Sequence, residues 1–204
     1  MNEADARRAA GLLRQHWQEG TRLSSLPPDI RPQTRTEGYA VQAQIGDDAD
    51  LFGWKIAATS LAGQRHINVA GPIAGRIFSD MVVPCGGDCS LDGNTMRLAE
   101  PEFAFRFARD VPPQSTPYRT EEVLAAVGTL HPAIELPDSR YVDVTEVGEA
   151  QIIADDAWPG LASELAKHGP RDAAFRPRRR ALLAGRPRGN GARRPSRRAR
   201  LACQ

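Results

Sequence analysis

Phenylalanines stand at every second position in Ala99-Glu100-Pro101-Glu102-Phe103-Ala104-Phe105-Arg106-Phe107. A two-residue apolar period fits an extended strand and no helix, so this run commits the middle of the chain to a β-sheet. The alternation places Glu100 and Glu102 on one face and Phe103, Phe105 and Phe107 on the other, the face expected to be buried. A third carboxylate, Glu135, interrupts the short apolar run Ala133-Ile134-Glu135-Leu136, where a lone charge is costly. Neither run contains a lysine. An all-oxygen set of three such groups suits Mg²⁺ or Mn²⁺ better than zinc. By spacing alone it reads equally well as a divalent-cation site or as exposed strand carboxylates with no shared purpose.

Around this strand the texture is mixed. Residues Asn2 to Gln18 read as a helix with an apolar stripe at Ala6, Ala9, Leu13 and Trp17, started by Asn2 with Asp5 and stopped by Gly20. Ser24, Ser25, Pro27, Pro28 and Pro32 predict a loop over Leu23 to Pro32. A second helix begins at Thr34, with Glu37 completing a capping box, and carries Tyr39, Gln42 and Ile45 as far as Gly46. Short strands follow at Leu51–Ala58, Ile73–Phe78, Met81–Val83, Thr95–Leu98, Glu102–Arg109 and Ala133–Leu136. Two short helices interrupt them, Ser60 to about Asn68 and Thr120 to Val127, the latter capped by Thr120. A last helix-like piece spans Leu161 to His168.

Charge is unevenly spread. The formal total is +2. From Gly169 onward twelve arginines face the single acid Asp172, about +11, which leaves the first 168 residues near −9. An acidic body fits an enzyme and argues against nucleic-acid binding by the folded part. The tail, with Pro170, Pro177, Pro187 and Pro195 and no periodicity, is expected to be disordered. It reads as a shifted reading frame or aberrant terminus, or alternatively as a genuine basic arm for nucleic acid or anionic lipid. Phe175 is its one aromatic, a poor endowment for stacking on bases. The start of the chain lacks a secretory pattern, and no apolar run is long enough to span a bilayer, so a cytoplasmic protein is expected. Cys85, Cys89 and Cys203 make neither a disulfide framework nor a complete zinc site.

Four segments in fixed order carry a resemblance: Phe52-Gly53-Trp54-Lys55-Ile56-Ala57-Ala58-Thr59-Ser60, Gly71 to Met81, Ala99 to Phe105, and His131 to Arg140. Together they closely resemble the 2-keto-4-pentenoate hydratase family of the fumarylacetoacetate hydrolase superfamily, from roughly the first helix to Ala157. The resemblance implies an α+β fold, an N-terminal helical cap (1–50) on a mixed β-sandwich or β-roll (51–168), incomplete here, with the tail (169–204) beyond. It also implies that Glu100, Glu102 and Glu135 hold Mg²⁺ or Mn²⁺. The implied activity is addition of water to a 2-hydroxy-2,4-dienoate to give a 4-hydroxy-2-oxo acid in aromatic catabolism. The sister activity, 2-oxo-3-hexenedioate decarboxylation, uses the same metal cradle, and a catalytically silent remnant with a basic tail is a third reading. Family members assemble into homo-oligomers. Lys55, in the matched Gly-Trp-Lys, is implied as an electrophilic or proton-handling group; its plainer reading is a solvated edge-strand lysine. Asp80 aligns with an acidic position near the family's pocket and would orient water or Lys55; Ser-Asp between strands is also an ordinary turn. His66 and His131 gain no catalytic role from their surroundings. Where the family has Ile-Ala-Asp-Asn-Ala, this chain has Ile153-Ala154-Asp155-Asp156-Ala157.

Overall fold

The Asn2 side chain accepts a hydrogen bond from the Asp5 amide at 2.8 Å, satisfying one of the open N–H groups of the first turn. That cap starts α1 (Glu3–Glu19), and Gly20, in the left-handed region at φ 65°, ends it. The computed structural model describes residues 1–46, 50–84 and 87–156, with the backbone of three short strands beyond. Contacts divide it into two compact units. The first holds Met1–Val82, Gly93–Met96 and Pro137–Gly160; the second holds Val83–Asp92, Arg97–Leu136 and Leu161–Gln204.

In the first unit, α1 buries Ala6, Ala9, Ala10 and Leu13. Trp17 does not complete the expected stripe. It is 39% exposed, and its ring receives the Arg140 guanidinium 4.9 Å from the centroid. The second helix, α2 (Arg35–Gln42), has the predicted capping box of Thr34 and Glu37. It stops at Gln42, short of the Gly46 limit read from the sequence. Gly38 lets it approach α5 (Glu149–Ala154) closely, because a Cβ there would lie 2.5 Å from the Ala150 carbonyl oxygen. No sequence period marks α5 in advance. All of its residues from Ala150 to Ala154 are buried, so it lacks the polar face that produces a helical period. The core joins these three helices to Leu26, Ile30, Ile67, Ile73 and Tyr141. Against it lies a two-stranded antiparallel sheet, β1 (Leu51–Ala57) with β2 (Ile73–Phe78), in which Lys55 stands opposite Gly75. Between the strands α3 (Leu61–His66) is capped by Ser60, whose hydroxyl accepts from the Gly63 amide at 3.1 Å.

The second unit is built on a five-stranded sheet. Its strands are β3 (Val82–Pro84), β5 (Leu98–Phe107), β6 (Val127–Leu136), β7 (Leu161–Glu164) and β8 (Ala181–Leu182), in the order β3-β7-β6-β5-β8. A separate pair is formed by β4 (Asp88–Ser90) and β9 (Arg198–Arg200). Strand β6 begins at Val127, six residues earlier than the sequence suggested, and takes over the predicted end of the preceding helix. Pro132 hid this extension. It lies where β7, which reaches only Ala133 to Leu136, does not flank β6, so the missing N–H is tolerated. Helix α4 is accordingly short (Thr120–Leu124), and its cap position is Arg119, whose amide donates to the Glu122 carboxylate at 2.8 Å. Thr120 is therefore the first helical residue and not the cap. Residues 161–164, expected as the start of a helix, form β7 instead, with the backbone of Ala133 to Leu136 as partner.

The face carrying Phe103, Phe105 and Phe107 is not buried as the alternation led us to expect; the three are 46%, 51% and 47% exposed. The small core of this unit, Cys89 and Leu136 with Val83, Leu91, Ala99 and Ile134, covers only the opposite end of that face. Short strands β8 and β9 fall inside the tail predicted to lack regular structure. Edge strands present open N–H and C=O groups, and β8 pairs with Leu98 and Ala99 while β9 pairs with β4. The rest of the tail, and residues 165–168 of the helix-like piece, lie outside the described residues. Helices and antiparallel strands thus mix in an α+β arrangement, and no sheet closes into a barrel among the described residues. No described helix is long and apolar enough to cross a membrane.

Candidate metal centre

The β5–β6 ladder decides where the carboxylates go. Glu100 stands directly opposite Glu135, and Glu102 opposite Ala133, so all three side chains leave one face of the sheet. One carboxylate oxygen from each lies within 4.8 Å of the others. Glu100 and Glu135 are half-buried and Glu102 is exposed. Like charges directly opposite in a ladder are unfavourable, by roughly 0.2–1 kcal/mol where solvent reaches and screens them. A dication reverses the sign of that interaction. The donors are all hard oxygens, close enough to share one ion, as Mg²⁺, Mn²⁺ or Ca²⁺ requires. The residues present therefore fit a divalent cation. Among the described residues no other group of acidic, histidine or cysteine side chains converges in this way.

Two further residues share that face by register. His131 stands opposite Ala104 and Thr129 opposite Arg106, continuing the row that contains Glu135 and Ala133. His131 is buried, and its Nε2 lies 2.7 Å from the Thr129 hydroxyl. The sequence offered His131 only as a strand-end residue; it is in mid-strand.

Lys55 and Asp80 belong to the first unit. On β1 the residues Phe52, Trp54 and Ile56 are exposed, while Lys55 alternates to the other, partly buried face. The solvated edge-strand lysine is therefore not what is found. Asp80 is exposed in a single 3₁₀ turn, Ser79–Met81, whose Ser79 hydroxyl donates to the Asp50 carbonyl at 3.1 Å. That is the ordinary turn the sequence also allowed.

Buried charge in the first unit is concentrated elsewhere, around Asp138, Arg140, Asp155 and Asp156. Asp138 accepts from the Thr95 amide and hydroxyl, each at 3.0 Å, and from the Arg22 guanidinium at 2.5 Å. Asp155, fully enclosed, pairs with the Arg140 guanidinium and accepts from the Ser139 hydroxyl at 2.7 Å and the Arg140 amide at 3.1 Å. Burial drives its carboxyl above the usual range, against the opposing pull of Arg140. Burial also raises the neighbouring Asp156 to about 7, opposed by the Arg76 amide, Arg140 and Lys55. Its Oδ1 accepts from the Arg76 amide of β2 at 2.5 Å. The sequence showed Asp155 and Asp156 only as part of a familiar run. Their signal was two adjacent acids behind the apolar Ile152-Ile153-Ala154, an unusual place for charge.

No protein-family model matches the chain. Individual proteins do. The chain is 32% identical to a 4-oxalocrotonate decarboxylase of a Pseudomonas species over 128 residues, 63% of this chain and 48% of that one. With the TodF product hydratase of Pseudomonas putida it shares 30% over 160 residues, 76% of this chain and 59% of that one. With 2-keto-4-pentenoate hydratase 1 of Dechloromonas aromatica the identity is 29% over 158 residues, 75% and 59% of the two chains. This chain thus spans about half to three fifths of the length of these relatives. The solved structure of a 4-oxalocrotonate decarboxylase from Pseudomonas putida, complexed with magnesium and adipate, superposes with a TM-score of 0.70 at 20% identity, covering 83% of this chain and 65% of that one. Over the stretch it shares with them, the chain is similar to the 2-keto-4-pentenoate hydratases and 4-oxalocrotonate decarboxylases, and it shares the fold of the latter.

Proposed function

We propose that this chain carries the site of a metal-dependent lyase acting on 2-oxo acids of aromatic catabolism. Within that class we read it as a hydratase that adds water to a 2-hydroxy-2,4-dienoate such as 2-oxopent-4-enoate. The observation that carries this reading is the convergence of Glu100, Glu102 and Glu135 within 4.8 Å on one sheet face. Those three residues would hold Mg²⁺ or Mn²⁺ in the cell, and a bound cation supplies Lewis-acid stabilisation of charge on a substrate oxygen. Lys55 is the group proposed to hold and move a proton, at its Nζ, during ketonisation of the dienol and hydration of the alkene. Asp80 is proposed to orient the attacking water or Lys55. Decarboxylation of 2-oxo-3-hexenedioate is the second reading, favoured by the decarboxylase among the similar proteins. The helical cap (1–50), the β-roll or sandwich (51–168), the homo-oligomer and the cytoplasmic setting are parts of the same proposal.

The test begins with metal. Calorimetric titration of the purified full chain with Mn²⁺ should show binding, and Glu102→Ala should weaken it at least tenfold while leaving the helical circular dichroism intact, because a charged ligand is lost and little packing with it. Unchanged affinity would remove the metal assignment. Loss of dienoate absorbance without release of CO₂ then separates hydratase from decarboxylase, and neither signal from a metal-loaded chain would leave a silent remnant.

A further inference from the structure

The two register rows that hold the three glutamates continue past them. On β5 the row runs Glu100, Glu102, Ala104, Arg106, and on β6 the opposed row runs Glu135, Ala133, His131, Thr129. Alternation keeps these side chains on one face of the sheet. Arg106 is the one permanently cationic residue among them; it is exposed, and Thr129 is its direct register partner. The Thr129 hydroxyl is itself held by the buried His131 ring, 2.7 Å from Nε2. The regular ladder ends at this rung. The register shifts between Arg106 and Phe107, and Gly128, between the paired Val127 and Thr129, is pressed against Ala108, whose Cβ a side chain there would meet at 3.1 Å. Irregularities of this kind commonly re-aim a neighbouring side chain. Between the acidic end and the basic end stands the rung of Ala104 and His131, where β5 carries only a methyl group.

We propose that Arg106 is the subsite for a second carboxylate, at the end of the substrate remote from the metal, so that the site takes a 2-hydroxy-2,4-dienoate that is a diacid. This rests on the lyase reading given above and narrows its substrate class. Charge argues for it. Three glutamates with one dication leave the acidic end negative on balance, which repels a dianionic substrate, and Arg106 restores neutrality along the face. Reach agrees. Glu102 and Arg106 lie four positions apart on β5, about 14 Å at roughly 3.4 Å per residue. The carboxyl carbons of a six-carbon diacid are five bonds apart, as are an arginine Cα and its guanidinium carbon, and each span extends to about 6 Å. With a metal–oxygen contact of about 2 Å at the acidic end, the two together bridge that gap. Arginine suits the task because its planar fork donates two parallel hydrogen bonds to one carboxylate. A monoacid sets an apolar terminus before the guanidinium and gains nothing from it.

That contrast supplies the test. Two saturated probes of equal length isolate the contact: 2-oxohexanedioate and 2-oxohexanoate, which differ only in whether the last carbon is a carboxylate or a methyl group. Calorimetric titration of the full chain loaded with Mn²⁺ should show the diacid bound about fivefold more tightly or better, the upper range of an exposed ion pair. Arg106→Gln should abolish that preference and leave the affinities for Mn²⁺ and 2-oxohexanoate within about twofold of the wild type, since an exposed side chain takes little packing with it. In the wild type the preference should also shrink as ionic strength rises. Equal affinities for the two probes in the wild type, or a preference that survives Arg106→Gln, would overturn the proposal. A chain that binds no Mn²⁺ fails the lyase reading and this assignment with it, whereas one that binds Mn²⁺ and 2-oxohexanoate without preferring the diacid fails this assignment alone.

Discussion

Replacing Glu135 with Gln should change the sign of its effect on stability according to whether a dication is present. Glu135 and Glu100 face each other directly across β5 and β6. In metal-free protein their repulsion works against the fold. Both are half-buried, so solvent screens much of it, and opposed like charges in ladders cost roughly 0.2–1 kcal/mol. For a chain of this size that converts to about 1–4 °C in melting temperature, and the neutral variant should melt higher by that amount in chelator. With Mn²⁺ at a hundred times its dissociation constant, the wild type gains about 2.7 kcal/mol by mass action. If the variant binds at least tenfold more weakly, its gain at the same concentration falls to about 1.4 kcal/mol or less. That deficit of about 1.3 kcal/mol exceeds the repulsion relieved, so the order of the two melting curves inverts. Differential scanning fluorimetry of both proteins, in chelator and in Mn²⁺, reads the outcome directly. An identical ranking in both conditions would refute the reasoning and leave the three glutamates as unrelated surface charges.

Other expectations follow from the same geometry. Lys55→Ala should reduce hydratase turnover at least a hundredfold with Mn²⁺ affinity unchanged, the contribution expected of a positioned proton-transfer group; equal turnover would make the lysine structural. Arg140→Ala leaves Asp155 enclosed without its cation, and chemical denaturation should show a loss of about 3–5 kcal/mol. Asp156 has a folded pKa raised from 3.8 to about 7. The folded state therefore holds its proton where the unfolded chain has lost it, so this group's stabilisation is complete below pH 4 and fades as pH rises to about 7. Its share of the change is at most about 4 kcal/mol, and Asp156→Asn should flatten that decline in a pH series of urea melts.

The sequence was most readable where a local rule acts alone. Asn2, Gly20, Thr34 with Glu37, and Ser60 each satisfy or release backbone groups within a turn of themselves, and each helix start or stop they imply is present. The carboxylate face was readable for the same reason, since strand alternation links Glu100 to Glu102. That Glu135 stands opposite Glu100 depends on register, which no local pattern records. Tertiary context overrode the other readings. The aromatic face of β5 looked buried, but burial depends on what lies against it, and Cys89, Leu136 and their neighbours reach only part of it. Helix α5 was silent because burial on every side erases the period that reveals a helix. Asp155 and Asp156 were silent because their partners, Ser139, Arg140 and Arg76, are supplied from other segments.

The missing Cβ of Gly38 has a consequence for the order in which the protein forms. A helix that ends at Gln42 must wait for Ala150 and Ile153, more than a hundred residues later, before it meets the surface it is shaped to fit. Between them the chain travels through most of the second unit. A nascent chain can coil α1 and α2 early, but their shared interior stays open until residue 154 has left the ribosome. Closing so long an excursion carries a large entropic cost ahead of any packing reward, which predicts slow acquisition of the first unit and early exposure of Val41 and Leu13. Synthesis of this chain thus passes through a stage in which its apolar interior is available to chaperones, and that stage ends when α5 arrives.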